Sequence, residues 1–170
     1  MNNYECRIAT REDVLNRWDY LIDIHPGKDI WLKFRENTLK HFDDGSMLIY
    51  YGFLNDKIIC EATAYIKEDA FIGDLDDPSG LLNNNMAYLA AFRTNKEYEG
   101  QGYFSKLYHY MEEDLINRGY SELCLGVDPK DVRDIEIYFH LGFTNYIKTE
   151  IEKDDNGNIN EFINFYKKIL

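Results

Sequence analysis

Between residues 86 and 115 the chain changes its hydrophobic period once, and it does so across two glycines. Met86-Ala87-Tyr88-Leu89-Ala90-Ala91-Phe92 is an apolar run of strand length, while Phe104, Leu107, Tyr108, Met111 and Leu115 recur at helical spacing. Joining them is Tyr98-Glu99-Gly100-Gln101-Gly102-Tyr103-Phe104-Ser105-Lys106-Leu107. The order is strand, glycine loop, amphipathic helix. The unpaired amides of the helix start and the positive end of its dipole then converge on a loop without side chains, an arrangement that invites an anion. The dipole contributes only ~0.3–1 kcal/mol per charge, so several amides must act together, and a diphosphate has the geometry for that. A G-x-G pair also serves simply as a tight turn.

A second segment adds weight to the anion reading. Asp131-Val132-Arg133-Asp134-Ile135-Glu136-Ile137-Tyr138-Phe139-His140-Leu141-Gly142-Phe143 reads as a helix capped by Asp131, stopped by Gly142 in the left-handed conformation, and returned to extended chain at Phe143. Taken together, the two segments resemble the GNAT superfamily of acyl-CoA-dependent N-acetyltransferases. The loop pattern of that superfamily, Q/R-x-x-G-x-G/A, falls on Glu99 through Phe104, and its helix pattern N-x-x-A-x-x-x-Y-x-x-x-G-F falls on Asp131 through Phe143. Gly100, Gly102, Tyr138 and the Gly142-Phe143 pair match. Glu99, Phe104, Asp131 and Asp134 depart from the pattern, replacing Gln or Arg, a small residue, Asn and Ala. The motif-bearing resemblance spans roughly residues 86 to 146.

The resemblance implies an α+β fold of α/β/α layers: a mixed, mostly antiparallel sheet of about seven strands, a splayed central parallel pair, and helices on both faces. It implies one domain over residues 1–170 and transfer of an acetyl group from acetyl-CoA to a primary amine of a small molecule or of a protein or peptide, by direct attack in a ternary complex. The diphosphate of coenzyme A would be held by main-chain amides of the Glu99, Gly100, Gln101, Gly102, Tyr103, Phe104 and Ser105 loop. The main chain at Phe92, Arg93 and Thr94 would align the pantetheine, and Asp131 and Tyr138 would close the site. Tyr138 would be the general acid to the departing thiolate, a role worth ~10²–10⁴-fold. For the general base, Glu61 on the third strand is one candidate. Glu97, Asp74 and Asp128 are further carboxylates near strand ends, and ordered water is another route. His25, His41, His109 and His140 are available for proton transfer, but each has an ordinary surface or capping explanation. A non-catalytic acyl-CoA-binding domain is the competing reading; a nucleotide kinase is disfavoured because the loop lacks the Gly-Lys-Ser/Thr ending.

Charge and cysteines narrow the partners. A net charge of −12 argues against nucleic acid, which needs clustered Lys and Arg, and favours a cationic amine. Anionic coenzyme A then requires local positive potential near the loop, for which Lys96 and Lys106 are the nearby cations. Cys6, Cys60 and Cys124 are scattered among strand-like segments with no CxxC spacing, which predicts buried free thiols and no metal. The amino terminus has no basic start followed by an apolar stretch, and no segment is apolar enough to span a bilayer, so a cytoplasmic protein without a membrane partner is expected.

The remaining elements follow in order. Tyr4 to Ala9 reads as a strand, Thr10 and Asp13 as a capping box opening a helix to about Ile24, and the stretch after His25-Pro26-Gly27 as a second helix closed by Asp44-Gly45. Met47 to Leu54 and Lys57 to Ile66 form strands around Asn55-Asp56. Glu68 to Asn85 reads as a long loop. A helix ending at Arg118-Gly119 precedes a fifth strand over Glu122 to Val127, and Phe143 to Ile151 with Ile159 to Tyr166 forms a closing hairpin about Asn156-Gly157. The closing strands and exposed aromatics offer an edge for a homodimer.

Overall fold

Asn55 and Asp56 both have positive φ, 49° and 65°. That is the type I′ geometry whose twist suits a two-residue hairpin, and Asn and Asp are the side chains that tolerate it. The turn joins β2 (Met47–Leu54) to β3 (Lys57–Tyr65) in antiparallel register, Leu54 opposite Lys57. The computed structural model describes residues 3–67, 81–153 and 156–170. Around this hairpin a seven-stranded sheet is completed by β1 (Tyr4–Ile8), β4 (Met86–Thr94), β5 (Glu122–Val127), β6 (Asn145–Lys153) and β7 (Ile159–Ile169), in the spatial order β1-β2-β3-β4-β5-β7-β6. Only β4 and β5 run parallel, because α3 (Tyr103–Asn117) crosses between them.

Alternation along the strands assigns each face its helices. On β2, Tyr50 and Leu54 join one core with Leu107, Tyr108, Met111 and Leu115 of α3, while Ile49, Tyr51 and Phe53 join a second core with Val14, Trp18 and Leu21 of α1 (Arg11–Ile24). Trp31, Leu39 and Phe42 of α2 (Lys28–Asp43) cover the second core from outside. The predicted capping box is present: Thr10 Oγ1 accepts from the Asp13 amide, and the Thr10 amide donates to Asp13 Oδ2 at 2.8 Å. Both faces therefore carry helices. The short α4 (Val132–His140) lies against the α3 face through Tyr138 and the residues that follow it, Leu141 and Phe143.

Two expectations need adjustment. Of the predicted loop from Glu68 to Asn85, residues 68–80 lie outside the described residues, and in the remainder residues 83–85 are exposed while Leu81 and Leu82 turn inward. Leu81 and Leu82 are buried with Met86, Tyr88, Cys124 and Phe165, and Asn83 bridges to Met86. Asp131 does occupy the N-cap position of α4, but its side chain makes no capping hydrogen bond. The cysteines agree with the reading of free thiols: Cys60 and Cys124 are buried and Cys6 half-buried, and burial pushes the Cys124 thiol up to about 12.

The sheet is interrupted where it matters most. Glu61 pairs with Arg93 and Thr63 with Ala90, so Ala91 and Phe92 together oppose the single residue Ala62. That is a β-bulge, and Ala91 takes a left-handed φ of 54° to make it. On the other side of β4, pairing with β5 stops at Tyr88 opposite Cys124, although β5 continues pairing with β7 as far as Val127 opposite Asn164. Beyond Tyr88 the parallel strands part, and the β5-facing edge of β4 has no ladder partner among the described residues. Because an alanine methyl tolerates φ 54° and a β-branched side chain does not, Ala91→Val should destabilise the protein by about 1–3 kcal/mol. Ala91→Gly should stay within about 1 kcal/mol of wild type by denaturant titration.

Candidate active site

The end of β4 runs into a 3₁₀ turn, Lys96–Tyr98, and then into the glycine loop, where Gly100 and Gly102 have φ of 72° and 78°. Both values require glycine, and a Cβ built at either position meets no atom within 4 Å. The space over both glycines is thus open among the described residues. Gly102 is the N-cap of α3 and provides no side-chain cap; the first intrahelical bond is from the Lys106 amide to the Gly102 carbonyl. The amides of Tyr103, Phe104 and Ser105 precede that bond and have no intrahelical acceptor. No acidic residue stands in the first turn to compete for them.

A cleft of about 540 Å³ opens on these amides. One wall is Thr94, Gly100, Gly102, Tyr103, Phe104 and Ser105; the other is the α4 stripe of Arg133, Glu136, Ile137 and His140. Behind it, the Phe92 ring packs on Phe104 at 5.1 Å, on Tyr108 at 6.2 Å and on Tyr138 at 5.9 Å. Burial, with smaller contributions from Asp134 and Asp131, pushes the Tyr138 hydroxyl up to about 12. Tyr138 is therefore a protonated phenol throughout the neutral range.

Several expected side chains are placed differently from one another. Thr94, Gly100, Gly102, Tyr103, Phe104 and Ser105 line the cleft, while Phe92 packs against Phe104 and Tyr138 against Phe92. Glu99 turns to the rim, where its carboxylate accepts from Arg133 Nη2 at 3.3 Å. Gln101 is tied back, its Nε2 donating to the Glu97 carbonyl. Of the two lysines expected to attract coenzyme A, Lys106 lies over the Tyr4 and Tyr103 rings, and Lys96 is exposed at the 3₁₀ turn. The cation on the cleft wall is Arg133, which the sequence reading missed. Its signal was the spacing of residues 133, 137 and 140 along one helical stripe, which looks from sequence like an ordinary solvated face.

Arg93 and Glu61 share the other side of the sheet. Both point to the sheet face under α1 and α2, away from the glycine loop, so only the main chain of Arg93 is available on the cofactor side. Glu61 is buried, 4% exposed, and both its oxygens are engaged: Oε2 accepts from Arg17 Nε and Oε1 from Arg93 Nη1, each at 2.5 Å. A general base must take up a proton, and a protonated Glu61 would leave two guanidinium ions without a counter-charge. The geometry makes Glu61 an anchor for the arginines rather than a base. Arg17 also donates to Asn95 Oδ1 at 3.0 Å, and Asn95 in turn donates to the Ile58 carbonyl. Among the other carboxylates, Glu97 faces Lys57 at the surface and Asp128 accepts from the Lys130 amide; Asp74 lies outside the described residues. The histidines are dispersed: His25 stacks on Trp31, His41 is buried beside Ser46, His109 is exposed, and His140 lines the cleft.

The comparison with protein-family models decides the identity: the model described as "Acetyltransferase (GNAT) family" matches residues 14–143. The chain belongs to the GNAT acetyltransferase family. It is an acetyl-CoA-dependent acyltransferase, and the seven-stranded sheet with its four helices is the GNAT fold. Solved structures agree on the fold at low sequence identity. The ribosomal-protein-S18-alanine N-acetyltransferase of Escherichia coli superposes with a TM-score of 0.67 at 17% identity, covering 98% of this chain and 94% of that one. The ribosomal-protein-alanine N-acetyltransferase of Brucella melitensis gives 0.68 at 16%, covering 98% and 99%. The PaiA N-acetyltransferase of Thermoplasma acidophilum, solved in complex with coenzyme A, gives 0.62 at 15%, covering 99% of each chain. No curated protein sequence matches the chain.

The residues present fit coenzyme A. Two glycines leave a cradle that any Cβ would narrow, three helix amides are without intrahelical acceptors, and the β4 edge beyond Tyr88 lacks a strand partner. Because the space over Gly102 is open, bulk there disturbs a ligand before it disturbs the fold. Gly102→Val should therefore lower acetyl-CoA affinity at least about tenfold by isothermal titration. The fold should survive with a loss of roughly 1–2 kcal/mol for the left-handed backbone.

Proposed function

We propose that this GNAT protein is an N-acetyltransferase that delivers an acetyl group from acetyl-CoA to a primary amine of a small molecule or peptide, by direct attack within a ternary complex. The observation that carries the proposal is the placement of the protonated Tyr138 against Phe92, whose ring packs on Phe104 of the cleft wall. Bound acetyl-CoA supplies the activated acyl group as a thioester. The amides of Tyr103, Phe104 and Ser105 bind the diphosphate, and Gly100 and Gly102 let it reach the backbone. Arg133 neutralises Glu99 at the rim, so the one acidic departure in the loop motif does not repel the ligand. Along β4 the β5-facing edge of the main chain from Leu89 to Thr94 aligns the pantetheine. Tyr138 Oη holds the proton that the departing thiolate takes up. Since Glu61 is committed to two arginines, the acceptor amine loses its proton to solvent rather than to a carboxylate of the described residues.

Removing the phenol isolates this role. Tyr138→Phe keeps the ring packed on Phe92 and should leave the Kd for acetyl-CoA within about twofold, while kcat falls roughly 10²-fold or more. Unchanged turnover would remove Tyr138 from the chemistry. A non-catalytic acyl-CoA binder would instead bind acetyl-CoA and release no thiol with any amine.

The raised hydroxyl also sets a pH dependence. A phenol shifted upward stays protonated well past neutrality, so it imposes no alkaline limit in the working range. Meanwhile the reactive free amine grows as pH rises. We therefore expect kcat/KM for the amine to climb from about pH 7 to about pH 9 without a downturn. A fall across that window, measured with acetyl-CoA saturating, would place another acid in the mechanism.

A further inference from the structure

Opposite the coenzyme A cleft, under α1 and α2, lies a charge imbalance that the described protein does not resolve. Tyr51, Glu61 and Arg93 are direct neighbours across β2, β3 and β4, all directed to the α1 and α2 face. Arg17, only 4% exposed, reaches the same carboxylate from α1. Two guanidinium ions share one carboxylate, and the additional partner of Arg17 is a neutral amide, Asn95. The cluster carries one net positive charge within an otherwise acidic protein. Arg17 is buried and paired with Glu61, so the surplus charge falls on Arg93, at the exposed end of the cluster.

The geometry points to Arg93 as the carboxylate receptor of the acceptor subsite, so that the acceptor is a small amine bearing a carboxylate. This rests on the acetyltransfer reading above. Three features support it. Arg93 follows the Ala91 bulge directly, on the part of β4 that has parted from β5, so its side chain borders the gap from the side opposite coenzyme A. Its side chain is 41% exposed, and only Nη1 is used by Glu61; Nε and Nη2 have no partner among the described residues. The guanidinium is also held in place, by Glu61 on one side and by the Trp31 ring 5.9 Å away on the other. A fixed fork with free donors matches a carboxylate bidentately. Trp31, stacked on His25 at 4.2 Å with an interplanar angle of 3° and edge-on to Phe34, offers an aromatic wall beside it for an apolar or aromatic substituent. A zwitterionic acceptor suits the whole surface: the acidic chain favours its ammonium group and this local reversal of sign favours its carboxylate.

The test is isothermal titration of the coenzyme A-saturated protein with matched pairs that differ by the carboxylate alone: phenylalanine against phenethylamine, leucine against isopentylamine, lysine against cadaverine. The carboxylate member of at least one pair should bind about 10- to 100-fold more tightly, and phenylalaninamide should track phenethylamine. Arg93→Gln should erase the difference by weakening the carboxylate member, and Arg93→Lys, which keeps the charge and loses the fork, should restore part of it. Glu61 remains paired with Arg17 in both variants, and a coenzyme A titration reports that each is folded. Equal binding within every pair, no binding of any carboxylate member, or a preference that survives Arg93→Gln would overturn the assignment. Thiol release from acetyl-CoA reads the parent proposal separately. Release without carboxylate preference sinks the Arg93 subsite only, whereas preference without release from any amine leaves the subsite standing and sinks acetyl transfer.

Discussion

The bulge at Ala91 is the constraint on which the rest of the molecule depends. One extra residue in β4, accommodated by a left-handed alanine, turns the end of the strand away from β5 after only three paired positions. Backbone groups that a continuous parallel pair would satisfy internally are left for something else to bond. The same residue count also decides which side chains face which way. Met86 and Tyr88 lie on the α1 and α2 side, and Leu89 on the α3 side. After the extra residue Phe92 faces α3 and Arg93 faces α1. Without the bulge, the aromatic that backs the cleft and the arginine that faces the opposite mouth would exchange sides. The binding gap and both of its chemical walls are consequences of one local irregularity.

Much of this was legible in the sequence because it rests on local rules. The Asn55-Asp56 turn, the Thr10 and Asp13 capping box, the paired glycines before α3 and the glycine stop at Gly142 are each dictated by backbone conformation over a few residues, and each occurs where expected. The resemblance to GNAT proteins rested on the glycines among these positions, together with Tyr138 and Phe143, which explains why it survived changes at Glu99, Phe104, Asp131 and Asp134. The bulge was not legible, since Ala90-Ala91 reads as unbroken strand and alanine carries no turn signal. Nor was the role of Glu61, because a carboxylate in a strand looks the same whether it faces substrate or two arginines. Arg17 did leave a trace. It falls between Val14, Trp18 and Leu21 on the apolar stripe of α1, where an arginine has to find a buried partner, but which partner is a matter of tertiary packing.

An acidic protein that binds an anionic co-substrate faces an electrostatic conflict, and the structure resolves it without a basic patch. Donors at the cleft are mainly backbone amides and the dipole of α3, which carry partial positive charge and no counter-ion of their own. Full charges near the loop are arranged to cancel, Arg133 against Glu99, and Lys106 is drawn over the Tyr4 and Tyr103 rings. Because dipolar donors act over short distances, the surrounding surface is free to remain negative and to attract an ammonium group. The opposite face adopts the reverse solution, with formal charges packed together and one positive charge left over. On the proposed reading the two mouths of the gap differ in the kind of anion recognition they offer: amides and dipoles for a diphosphate on the α3 side, a fixed guanidinium on the α1 side. That difference keeps the ends of the reaction distinct, because a ligand that satisfies one mouth is mismatched to the other.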